Sequence, residues 1–215
     1  MLGDGKTLPN VSPDLVLIGR SSSHFTRVAR LFAHELGVEY SFEVVRDLRV
    51  DDARAYGGNP ALKVPVLRAG EEAWFGAIAI CRELARRSPR QARIVWPEDA
   101  TDALTSNAQE LVLHAMSTEV TLVMSKVAGQ SGGYLDKART SLTGVLDWLE
   151  AHAPSALARL PEDRDLSLLE VTLFCLVRHL GFREVLDTTP YRRLGELTER
   201  FGRRPSALAT EYRLD

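Results

Sequence analysis

Three consecutive serines, Ser21-Ser22-Ser23, precede a run in which Phe25, Val28, Ala29, Phe32 and Leu36 recur at helical spacing. Serine is a preferred helix N-cap, so one reading of these hydroxyls is that they start the helix. A second use is compatible with the first. The free amides and the dipole of a helix N-terminus favour an anion, and a hydroxyl beside them can donate to the same charge. His24 follows directly and reads as a surface imidazole, the cleft being the other direction open to it. Further along, the stretch NPALKVPVL, Asn59 to Leu67, sets Pro65 between two valines where a strand begins. Proline lacks a ladder donor and is confined to strand edges, first positions or bulges. A cis Val64–Pro65 bond, costing an X-Pro linkage only ~0.5–1 kcal/mol, would bend the backbone at that point.

The elements that must position these residues are legible as patterns. Leu15-Val16-Leu17-Ile18 is a short continuous apolar run, as in a fully buried strand. Gly37 stops the helix that follows the serines, and Tyr40 to Val45 alternates like a second strand. Residues 46–58 read as a charged helix-and-loop segment ending in Gly57-Gly58. A third strand starts near Val64, Arg68 to Glu71 reads as a hairpin turn, and Ala73-Trp74-Phe75 as a fourth strand. Gly76 then opens a helix carrying Ile78, Ile80, Cys81 and Leu84. This order makes an α/β layer with a small sheet packed on helices.

Beyond Ser88-Pro89-Arg90 a linker extends to about Asp99, and the rest is helical. Leu104 to Val123 marks one long helix, and Leu135 to Leu149 a second, with Pro154 and Pro161 in the gap after it. Ser167-Leu168-Leu169-Glu170 is a capping box at the head of an unusually apolar helix running to Leu180. A last helix covers about Pro190 to Phe201 and stops at Gly202. Residues 1–13 are polar and read as a loose leader.

Composition narrows the function classes. The chain has 215 residues, enough to bury a real core, and a formal net charge of -2 that gives no electrostatic case for nucleic acid. Arg86-Arg87, Arg192-Arg193 and Arg203-Arg204 read as solvated helix faces or ends. Cys81 and Cys175 sit in apolar runs and read as small buried hydrophobes, with no Cys-x-x-Cys for redox or zinc chemistry. The five histidines show no metal spacing, so no metal is expected. With no secretory leader and no bilayer-spanning run, the expected location is the cytoplasm and no membrane partner is expected.

The α/β half followed by an all-α half resembles the soluble glutathione transferases, a thioredoxin-like N-terminal domain with a helical C-terminal domain. The resemblance rests on Ser22 to Val28 with Glu35 to Tyr40, on NPALKVPVL, and on Ile94 to Asp99 as inter-domain linker. Leu166 to Glu170 as N-capping box and Phe201 to Ser206 as terminal signature complete it. It implies domains at residues 14–88 and 99–215, with glutathione as co-substrate. Ser22 would polarise the thiol. Ser22, Ser23, Val64, Pro65, Gly76 and Ala77 would bind glutathione, Val64 through its backbone in the manner of an added strand. A free thiol of pKa ~8.5 is only a few per cent thiolate at pH 7, so the site must favour the charged form.

The resemblance further implies a small hydrophobic electrophile lying over the helical domain, near His114, Met116 or Met124. It implies a homodimer, and Trp74 beside the cleft. The family usually carries Glu-Ser where this chain has Gly76-Ala77, and that lost hydroxyl would cost about ten- to a hundredfold in affinity. The departure keeps two other readings open: a catalytically silent binding protein on this fold, and an enzyme of this fold that uses another thiol.

Overall fold

The computed structural model describes residues 15–215, and the leader expected over residues 1–13 lies outside them. The N-terminal part runs β1 (Leu15–Gly19), α1 (His24–Leu36), β2 (Ser41–Val44), β3 (Val66–Ala69), β4 (Glu72–Phe75) and α2 (Ala77–Arg87). The sheet order is β2-β1-β3-β4. β2 lies parallel to β1, as a helical crossover requires, whereas β3 and β4 run antiparallel to their neighbours. The result is a thioredoxin-like layer. Gly37 ends α1 in the left-handed region at φ 67°, where a side chain would be strained.

The hairpin turn is tighter than its sequence implies. Arg68 and Ala69 stay paired in β3, leaving Gly70 and Glu71 at the tip, with Gly70 at φ 58°. A two-residue loop with positive φ matches the strands' twist, so the ladder keeps the two residues that propensity assigns to the loop.

The C-terminal part is helical: α3 (Ala103–Val127), α4 (Gly133–Ala158), α5 (Leu168–Arg183), α6 (Arg192–Gly202) and the short α7 (Pro205–Ala209). α4 continues through Pro154, which therefore does not sit in a gap after the helix. A proline inside a helix costs ~3 kcal/mol, but Ala153, Ala156 and Leu157 around it are buried, and their packing holds the last turns together. α7, which begins at Pro205, is a further helix after the one expected to be last. The linker carries a two-residue strand, β5 (Ile94–Val95), paired in parallel with β6 (Leu166–Ser167) at the head of α5. Two residues are too few for any periodicity to reveal.

One apolar core spans both parts. Leu17, Val28, Leu31, Phe32, Ile80 and Leu84 join Val112, Met116, Leu146, Leu168 and Leu176 in a single buried cluster. α1 is the shared wall, packing on α2 along one side and on α5 along the other. Its N-terminus is thereby held between the sheet and the helices. Ser167 caps α5 by accepting from the Glu170 amide at 3.1 Å. Glu170 binds the Ser167 hydroxyl at 2.9 Å and forks onto Arg164. Burial works against the Glu170 carboxylate, but Arg164 and Ser167 outweigh it and hold its pKa below the usual range.

Cys81 and Cys175 are free and fully buried. Burial pushes the Cys175 thiol up to about 12 against the pull of Arg27 and Tyr212, and raises Cys81 well above the usual thiol range, so burial favours the protonated thiol at both. Arg86 and Arg87 both pair with Glu83 at the end of α2. Among the described residues no helix is long and apolar enough to cross a membrane.

Candidate functional site

Register brings three segments to one end of the sheet. Ile18 pairs with Val66, so the loop after β1 lies beside Val64–Pro65. Val66 also pairs with Phe75, which sets Gly76 next to Pro65, and the Gly76 amide donates to the Pro65 carbonyl at 3.3 Å. The loop 20–23, the proline loop and the start of α2 therefore converge.

The Val64–Pro65 bond is cis. Asn59 is buried and shapes the approach to it, donating from Nδ2 to the Lys63 carbonyl at 2.8 Å and accepting from the Ala61 amide at 3.0 Å. Pro65 is buried and Val64 half-buried. Among the described residues neither the amide nor the carbonyl of Val64 has a hydrogen-bond partner. That leaves one donor and one acceptor for an extended ligand backbone.

The three serines divide their tasks. Ser23 is the N-cap of α1, its Oγ accepting from the Thr26 amide at 3.2 Å. Ser21 is buried, its amide donating to Asp215 at 2.7 Å and its Oγ accepting from Arg213 at 3.3 Å. Ser22 is half-buried, and its hydroxyl has no partner among the described residues. Its carbonyl accepts from His179 Nε2 at 2.9 Å. The free hydroxyl thus stands at a capped helix N-terminus whose first amides lack intrahelical acceptors.

α2 begins differently. Gly76 is its N-cap, with φ 82° and no side-chain cap bond. A Cβ built on Gly76 would meet nothing within 4 Å, though that φ would strain it. Ala77 is buried at the first helical position. Backbone amides at such a helix start suffice to attract a carboxylate.

Behind the loop lies a cluster the sequence did not announce. His24, expected on the surface, is only 1% exposed, because the face of α1 that carries it packs against the helical part. Its Nδ1 lies 3.1 Å from Glu119 Oε2 on α3, and His179 Nδ1 on α5 lies 2.8 Å from Glu119 Oε1. Glu119 is fully buried between the two rings. The donor atoms of the three residues lie within 4.8 Å of one another, the spacing of a two-histidine, one-carboxylate metal set. The histidines do converge, then, although residues 95 and 155 positions apart in the chain show no spacing a motif could catch.

Hydrogen bonds account for the same geometry. Burial pulls the His24 pKa down, opposed by the bond to Glu119 and assisted by the charge of His179. Burial would raise the Glu119 pKa, but the bonds and charges of both histidines overcome it and lower it.

Other expected residues are dispersed. Met116 is fully buried in the core, whereas Met124 and His114 are exposed, so these three do not share a wall. Trp74 is half-buried on the helix-covered face of the sheet, 5.5 Å from the Arg87 guanidinium. A cavity of about 540 Å³ between α5, α6 and the C-terminal segment is lined by Arg27 and Tyr212 and includes none of Ser22, Val64 or Gly76.

Residues 22–87 match the family model described as the glutathione S-transferase N-terminal domain. No curated protein sequence matches the chain. Solved structures match over nearly all of it. A glutathione transferase family member from Pseudomonas fluorescens, with bound glutathione, is 21% identical with a TM-score of 0.74, covering 93% of this chain and 100% of its own. A glutathione S-transferase from Methylobacillus flagellatus, also with glutathione bound, is 19% identical with a TM-score of 0.72 over the same shares. One from Methylobacterium radiotolerans, in complex with glutathione sulfonate, is 21% identical with a TM-score of 0.67, covering 94% and 96%. At these identities the structures show the fold. Residues 22–87 are thus similar to a glutathione S-transferase N-terminal domain, and the chain shares its overall fold with these solved transferases.

Proposed function

We propose that this chain is a glutathione transferase that binds glutathione across the proline loop and activates its thiol at Ser22 for attack on a small hydrophobic electrophile. The observation that carries the reading is the free Ser22 hydroxyl at the N-terminus of α1, beside the unpartnered amide and carbonyl of Val64. Hydroxyl and helix amides act on the sulfur, and each pK unit they lower it needs ~1.4 kcal/mol of preference for the thiolate. Val64 pairs with the cysteinyl backbone. Ser23 supports Ser22 by fixing the first turn of α1, and the amides at Gly76-Ala77 receive the γ-glutamyl carboxylate. The division around residues 88–99 separates this thiol-binding part from the helices over which the electrophile lies. The reading extends to a cytoplasmic homodimer, which sedimentation at several protein concentrations checks.

Titration calorimetry with reduced glutathione tests the reading. Saturable binding at one site per chain is expected, with Ser22→Ala lowering turnover on model electrophiles far more than it weakens binding. No heat at millimolar glutathione overturns it. That outcome favours a silent binding protein, the reading supported by the absence of a side-chain hydroxyl or acid at Gly76-Ala77.

A further inference from the structure

His179 stands between a carboxylate and a carbonyl. Its Nδ1 faces Glu119 Oε1 at 2.8 Å and its Nε2 faces the Ser22 carbonyl at 2.9 Å. A carbonyl only accepts, and an ionised carboxylate only accepts. Both ring nitrogens therefore donate, and His179 is an imidazolium. His24 behaves in the opposite way. Its Nδ1 donates to Glu119 Oε2, while its Nε2 is buried without a partner, so that ring is neutral. The buried cluster then sums to zero charge: one carboxylate, one imidazolium and one imidazole.

This arrangement grips a single peptide group. The Ser22 carbonyl is held by His179, and the amide on the other side of the same peptide plane, Ser23 N–H, donates to the Arg20 carbonyl at 3.1 Å. With both ends of the 22–23 peptide fixed, the direction of the Ser22 hydroxyl is left to ψ of residue 22 and to its own χ1. The groups around the imidazolium come from every element packed on it. They are Glu119 of α3, His24 of α1 with its ring centroid 4.4 Å away, Tyr212 with its ring edge-on at 5.0 Å, and Arg183 on α5 itself. Glu119 is the one carboxylate in contact with it among the described residues.

We propose that His179, oriented and kept charged by Glu119, is a positioning residue for Ser22. It carries the Ser22 hydroxyl into line with a bound thiol across the junction between the two parts of the chain. The inference rests on the reading of Ser22 given above, and the test separates the two. Two variants of similar size divide the ring's contacts: His179→Gln places a donor near the Nε2 position, and His179→Asn places one near the Nδ1 position.

Nitrogen-15 spectra of the histidine rings at neutral pH report the charge state without any ligand. Two protonated nitrogens on His179 and one on His24 are expected, and a neutral His179 overturns the inference. The pKa of bound glutathione, read from thiolate absorbance, reports the positioning. In Ser22→Ala and in His179→Asn it should rise toward the free value of ~8.5, with glutathione affinity nearly unchanged. His179→Gln should recover most of the wild-type value. The double variant Ser22→Ala, His179→Asn should be no worse than Ser22→Ala alone, since both act through one hydroxyl. If Ser22→Ala leaves the thiol pKa unmoved, the reading of Ser22 falls and this inference with it. If Ser22→Ala moves the pKa and His179→Asn does not, only the positioning role falls.

Discussion

The two helix N-termini at the site are built in opposite ways. That of α1 is held from all sides: Ser23 caps it, His179 takes the Ser22 carbonyl, and Asp215 takes the Ser21 amide. That of α2 rests on Gly76 alone, with no side-chain cap and open space where a Cβ would stand. Chemistry on a sulfur depends on sub-ångström placement of one donor, whereas holding a carboxylate needs only several amides facing the same way. Under the proposed function, the difference teaches where precision is required: at the reacting atom, and much less at the far end of the ligand.

The contrast can be broken most forcefully at Glu119. Glu119→Ala strands a buried imidazolium and should destabilise the protein by ~3–5 kcal/mol in urea denaturation, the usual cost of removing one partner of a buried pair. A loss below ~1 kcal/mol, the worth of an exposed pair, would mean that the cluster does not hold α1. Acid should act on the same groups more gradually. The folded-state pKa of Glu119 is depressed, so its contribution is present above the unfolded value of ~4.3 and lost as pH falls through the folded one. The folded-state pKa of His24 is depressed too, so the unfolded chain takes up its proton first and stability declines as pH drops below ~6.5. These two shifts carry the same sign, and the melting temperature should fall between about pH 6 and pH 4, below the unfolded histidine value; a flat profile over that window would contradict the assignment. The smallest effect is expected at the open end. Ala77→Ser adds the missing hydroxyl at the first helical position and should tighten glutathione about tenfold by calorimetry, with no change in thiol pKa.

Much of the frame was legible. The spacing of Phe25, Val28, Phe32 and Leu36 located α1, Ser167 and Glu170 marked the head of α5, and the valines around Pro65 pointed to the cis bond that is present. These signals are local: a period, a cap, a proline. Half of the site was legible for the same reason, because Ser22 and Ser23 sit at a helix start that the sequence displays. His24, Glu119 and His179 lie on three helices, and only packing brings them together. His24 was misplaced on the surface because the turn of α1 that carries it faces the helical part, and no local pattern distinguishes such a turn from a wet one. His114, Met116 and Met124 were grouped by type, but their positions around α3 send them to different sides.

The hold on position 22 is exerted through main-chain oxygen. His179 binds the carbonyl of residue 22, an atom that every amino acid presents identically. The side chain at this position is therefore replaceable without dismantling the support beneath it. A single codon change could exchange the alcohol for a thiol or a methyl group at the same spot in space. If residue 22 carries the group that meets the thiol, as proposed, the scaffold separates the address of that group from its identity and leaves a lineage free to vary its reactivity there.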